Sequence, residues 1–219
     1  MEKKISKEEL NKRKERALII IDKLAILFPE SKIALNFSNN LELLIAVILS
    51  AQCTDKKVNE VTEKLFKKYK NLGDYLDADL MEFEKDIHST GFYHNKAKNI
   101  LAAVKIIKND FNGKVPDRME NLLKLPGVAR KTANIVLGDG FGKVEGIAVD
   151  THVKRLSLLY GLTKENNPNK IEKDLMKIIP QTEWLNLNHR LIEYGREYCP
   201  ARKHDHNNCP LTKDVDSIR

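Results

Sequence analysis

Cysteine is scarce in this chain. Cys53, Cys199 and Cys209 are all it has, an odd set that excludes the disulfide-stapled secreted class and invites a metal hypothesis instead. Seven prolines and ten glycines in 219 residues are too few for a linker-rich or low-complexity protein. Long apolar runs are missing as well. The stretch from Ala17 to Ile21 is broken by Asp22 and Lys23, short of a membrane span and of an export-signal core, so a cytoplasmic protein with no membrane partner is expected. What is present is enough apolar residue to build a core, 42%, against 32% charged residues. The formal charge of +7 makes a polyanion a natural partner, although charge alone does not separate a nucleic-acid binder from a basic enzyme.

Nearly every periodic segment has a helical period and none alternates convincingly, so an all-α fold is expected. In the first helix Leu18, Ile21, Ala25 and Phe28 are read as one face, ended by Pro29. The preceding Lys3, Lys4, Lys12, Arg13, Lys14 and Arg16 read as a solvated basic arm. LELLIAVILSA, from Leu41 to Ala51, is apolar nearly all round and marks a central buried helix. Asp55 is a candidate cap for the next helix, and Ala97, Ile100, Leu101, Val104 and Ile107 line another. Further helices are expected near 117–123, 130–137, 151–159, 170–179 and 184–195.

The segment Leu125 to Ala133, LPGVARKTA, carries the chemistry. Pro126 and Gly127 break one helix, and Arg130 and Lys131 open the next. Cations there oppose the positive end of the helix dipole, which suggests work on an anion. The same field, with burial, lowers an amine's pKa and makes Lys131 a candidate nucleophile. Farther on, Asp150 in AVDTHVKRL stands where it can cap the helix begun by Thr151, and its carboxylate could also stabilise a developing cation. His152 beside it reads as a structural hydrogen-bonding residue, and Trp184, Leu187 and Leu191 read as core.

LLIAVILSAQCTD, TGFYHNKAKNI, LPGVARKTANIVL and AVDTHVKRL, in that order and spacing, resemble the endonuclease III family of the helix-hairpin-helix DNA glycosylase superfamily, over about Phe37 to Leu211. The resemblance implies two helical lobes with a DNA cleft between them: a domain over 31–143 that holds the hairpin, and a second built from 1–30 with 144–219. It implies base-excision repair of oxidised pyrimidines in double-stranded DNA by glycosylase and abasic-site lyase activity, in a nucleoid-associated enzyme that acts as a monomer. Lys131 would attack the sugar C1′, forming a Schiff base, with Asp150 assisting. Gly127, Val128, Ala129 and Arg130 would grip phosphate, and Gln52 and Phe92 would fill the space left by the flipped nucleotide. Ala129 departs from the second glycine common in the hairpin, and Phe92 from the commoner Leu. A related mismatch glycosylase and a non-catalytic DNA-binding module are the alternatives; Lys131 speaks against the first, and Lys131 with Asp150 against the second.

One stretch breaks the family pattern. In CPARKHDHNNCPLTKDV, from Cys199 to Val215, the resemblance aligns four 4Fe–4S ligand positions with Cys199, His206, Cys209 and Val215. Valine offers no ligand, so the cluster is expected to be absent and the loop metal-free. Zinc at Cys199, His204, His206 and Cys209 is the alternative, set back because histidines two apart must converge through an irregular loop. Arg196, Arg202 and Lys203 are candidates for DNA contact from this loop.

Overall fold

The computed structural model describes residues 6–216. Among them every regular element is helical: α1 (Lys7–Leu27), α2 (Asn40–Leu49), α3 (Asp55–Lys68), α4 (Leu72–Leu76), α5 (Leu80–Ile87), α6 (Tyr93–Asp110), α7 (Met119–Leu122), α8 (Arg130–Ile135), α9 (Thr151–Leu159), α10 (Pro168–Ile178), α11 (Trp184–Glu197) and α12 (Pro210–Asp216). A π-helical turn, Val136–Gly140, continues α8. No helix among the described residues is long and apolar enough to cross a membrane. The chain divides into two compact units, one from Ala34 to Glu145 and the other made of the residues up to Ile33 with those from Gly146 onward.

In the Ala34–Glu145 unit, α2 begins where Asn39 accepts the backbone N–H groups of Leu41 and Glu42, both at 3.0 Å. Every residue from Leu43 to Leu49 is buried, as the all-round apolar pattern requires. The π-helical turn packs against α2 closely enough that a Cβ on Gly140 would stand 2.8 Å from Asn40 Oδ1 and 3.0 Å from a Leu43 methyl, so a larger residue there would have to displace both side chains. Thr54, not Asp55, caps α3: its hydroxyl accepts from Lys57 N–H at 3.3 Å, and Asp55 is the first helical residue. Tyr69, Tyr75 and Phe83 form a buried aromatic cluster, with Tyr69 and Tyr75 stacked at 5.0 Å.

The other unit has one apolar core, to which α1 contributes Ala17, Ile20, Ile21, Leu24 and Phe28. The expected face holds at Ile21 and Phe28 but not at Leu18, which is 49% exposed, or at the half-buried Ala25; the neighbouring Ala17 and Leu24 are buried instead. The expected basic arm also needs correction. Lys3 and Lys4 lie outside the described residues, whereas Arg13 is buried, paired with Glu9 at 3.2 Å and Asp174 at 3.7 Å. Arg16 donates to the Gly161 carbonyl at 3.0 Å. Both are therefore packing and pairing groups that join the first helix to later segments. Trp184 places its indole N–H on the Ile179 carbonyl at 2.9 Å, with Leu187 and Leu191 buried beside it.

Candidate functional site

Lys131 stands in the first turn of α8, and the turn before it explains how. Leu125 C=O accepts from Val128 N–H at 3.1 Å across Pro126 and Gly127, and Gly127 has φ +79°. Proline second and a positive-φ glycine third are what a type II turn demands. A Cβ on Gly127 would also meet the Asn99 side chain at 3.1 Å. Ala129 caps α8 in an extended conformation, φ −93° and ψ 172°, which any residue adopts. The missing second glycine is thus without conformational consequence. Ala129 brings no side-chain acceptor to the first-turn N–H groups of α8. Lys131 is half-buried, and among the described residues no side chain pairs with its amine.

Asp150 belongs to the other unit. Its backbone is extended and its Oδ1 accepts Val153 N–H at 2.7 Å, making it the N-cap of α9. The segment leading into it is held by Asn188, a buried side chain whose amide donates to the Ala148 carbonyl at 2.7 Å. The His152 ring packs where a Cβ at position 195 would collide with it, which explains a glycine inside α11. Sequence reasoning missed Asn188 because a lone Asn in an amphipathic helix has no distinguishing signal.

Gln52 and Phe92 are both exposed, Phe92 by 62%, and both lie in the left-handed region with φ 52° and 49°. Among the described non-glycine residues only Asn112 shares that property. Asn tolerates it; for Gln and Phe it costs on the order of 1 kcal/mol each, which the surrounding structure must offset. Lys96 provides part of the bracing. It is buried, its Nζ donates to Leu49 C=O at 2.7 Å and Thr90 C=O at 2.8 Å, and burial lowers its pKa. One amine thus fastens the chain three residues before Gln52 and two before Phe92. The signal was a lone cation on the apolar stripe of α6 that continues through Ile100, Val104 and Ile107.

At the C-terminal end, one ligand atom from each of Cys199, His204, His206 and Cys209 lies within 4.8 Å of the others. The histidines converge despite their spacing, through a loop ending in a 3-10 turn at His206–Asn208. Burial and the neighbouring Cys199 thiol push the Cys209 thiol up to about 11. Val215, at the fourth family position, is buried in the apolar core. This donor set does not fit a 4Fe–4S cluster: two thiols are missing, and the donors close around a space for one ion. Cys53 lies outside the group. Arg202 and Lys203 are exposed in the same loop, and Arg196 is exposed near the end of α11.

Residues 45–181 match the family model described as "HhH-GPD superfamily base excision DNA repair protein". The chain is 51% identical over 199 residues to Endonuclease III of Synechocystis sp. (strain ATCC 27184 / PCC 6803 / Kazusa), covering 91% of each chain. Among solved structures it is similar to a non-covalent endonuclease III–DNA complex, with TM-score 0.87 and 46% identity over 91% of this chain and 94% of that one. It matches a trapped endonuclease III–DNA covalent intermediate with the same TM-score, identity and coverage.

Proposed function

The chain belongs to the endonuclease III family of the HhH-GPD superfamily of base excision DNA repair proteins, and from that premise we propose that it is a bifunctional glycosylase and abasic-site lyase for oxidised pyrimidines in double-stranded DNA. Lys131 is the nucleophile and Asp150 the supporting carboxylate. The amine attacks C1′ of the damaged nucleotide, and the base leaves with the bonding electron pair and takes up a proton. Opening of the sugar ring gives a Schiff base between Lys131 and C1′. Loss of a C2′ proton then expels the 3′ phosphate, cleaving the strand by β-elimination. Asp150 stabilises positive charge on the sugar as the base departs. The nucleotide must first leave the stack, and Gln52 and Phe92 fill its place. Gly127, Val128, Ala129 and Arg130 hold a phosphate at the hairpin.

The observation that carries this assignment is Lys131 itself, an amine with no partner among the described residues, set in the first turn of the helix after the hairpin, in a chain with relatives of this class. Its substrate implies work at the nucleoid, in the cytoplasm, as a monomer. Incubation with a duplex bearing one oxidised pyrimidine tests it. Base release with strand cleavage that leaves an unsaturated 3′ sugar fragment is expected. Base release with an intact strand would instead make it a monofunctional glycosylase, and binding without either would make it a DNA-binding module.

A further inference from the structure

We propose that Cys199, His204, His206 and Cys209 form a closed tetrahedral zinc site that takes the structural place of a cluster the chain has no thiolates to hold. Two sulfur–nitrogen donor distances already match the edges of a single-ion tetrahedron, and all four donor atoms lie within 4.8 Å of one another. Cys199 Sγ lies 3.6 Å from His206 Nδ1, and His204 Nε2 lies 3.3 Å from Cys209 Sγ. A tetrahedron with zinc–sulfur bonds of about 2.3 Å and zinc–nitrogen bonds of about 2.0 Å has sulfur–nitrogen edges of about 3.5 Å. Two thiolates with two imidazoles are also a set that calcium and magnesium do not choose and zinc commonly does.

Groups outside the four donors are arranged as a metal site requires. His204 Nδ1 is 2.9 Å from the Arg202 carbonyl, so that nitrogen carries the proton and donates. Nε2 is left with its lone pair facing Cys209 Sγ, the tautomer a ligand must have. Arg155 presents a guanidinium N–H to Cys199 Sγ at 3.7 Å, an outer contact to that ligand atom. The Cys209 thiol donates to Tyr198 C=O at 3.2 Å, a bond that metal binding would replace. Zinc entry releases both thiol protons and leaves four ligands and the ion with no net charge.

Beyond the four donors the loop is held, among the described residues, only by short-range bonds within itself, such as Asp205 Oδ1 accepting Asn207 N–H at 3.0 Å and Cys209 N–H donating to His206 C=O at 3.0 Å. Residues 201–208 read ARKHDHNN, and all but the half-buried His204 are exposed. The anchors at either end are Cys199 and Cys209, both buried in the core that includes Leu211 and Val215. A zinc ion would therefore fasten the end of α11 to the start of α12 through a segment with almost no apolar contact.

The test is metal analysis of the full chain, purified without chelator, followed by chelation and refilling with zinc or cobalt alone. About one zinc per chain is expected, with a cobalt-filled protein showing thiolate-to-cobalt charge transfer and tetrahedral absorption bands. His206→Ala, a change at an exposed position, should lose both the zinc and the tetrahedral spectrum. The proposal is overturned if the intact chain takes up neither metal, if His206→Ala binds zinc as tightly as the parent, or if about four irons with sulfide are present per chain.

Discussion

At the scale of single residues, the structural duties of Asp150 and Lys96 can be separated from the roles proposed around them. Asp150 caps α9 through Val153 N–H, and asparagine caps equally well. Asp150→Asn should therefore leave the free energy of unfolding in urea within about 0.5 kcal/mol of the parent. Base release under single turnover should fall about a hundredfold, because the charge facing the developing cation is gone. Equal rates for the two proteins would reduce Asp150 to a cap. Lys96→Met strands the Leu49 and Thr90 carbonyls, at about 1–3 kcal/mol for each unsatisfied group. Its effect on function should be selective: cleavage at an abasic site should slow several-fold in duplex DNA and stay unchanged in single-stranded DNA, where no stack has to be opened. Equal losses on both would mean that Lys96 only stabilises the fold. Lys131 and Asp150 were legible in the sequence because each sits at a helix start marked by turn or cap chemistry. Lys96 was overlooked, since among the other lysines of α6 it looks solvated unless its place on the Ile100, Val104 and Ile107 stripe is noticed.

At the scale of elements, the hairpin before α8 depends on Gly127 more than on any side chain. Gly127→Ala places a Cβ at φ +79° and 3.1 Å from Asn99. It should cost about 1–2 kcal/mol in urea unfolding and weaken binding to undamaged duplex. Ala129→Gly, at an extended position, should not tighten that binding. A Gly127→Ala protein with parental stability and affinity would show that the turn tolerates another geometry. The long helices were legible from their 3.6-residue period, and α9 was placed over the same residues as observed, Thr151–Leu159. Short α4, α5 and α12 were not, because five to eight residues hold too few repeats to define a period. The Leu18 error is a related failure. A one-residue offset turns a helix by about 100°, and in an apolar-rich segment two neighbouring faces look alike.

At the scale of the whole molecule, charge and burial set the pH range of stability. Tyr69 and Tyr194 have their pKa values pushed up from 10.0 to about 12, in both cases first by burial. Their neutral forms persist in the fold while an unfolded chain ionises above pH 10. The stability they contribute is thus full below about pH 10 and is lost as pH rises through about 12. Melting temperature should fall steeply over that interval, and a flat profile would contradict it. The helical period made an all-helical protein legible, whereas the net charge left a nucleic-acid binder and a basic enzyme both open, and it was the four motif segments, through their family resemblance, that pointed to DNA. The convergence of His204 and His206 was hidden, because an irregular loop has no period from which side-chain directions can be read.

Borohydride trapping tests the central claim most directly, using a duplex with one oxidised pyrimidine or a preformed abasic site and comparing the parent with Lys131→Ala. A covalent adduct and strand cleavage from the parent, both absent from Lys131→Ala while duplex binding persists, are the predicted result. An adduct of equal yield from Lys131→Ala, or none from the parent on either substrate despite tight binding, would contradict the assignment of Lys131 as the Schiff-base nucleophile.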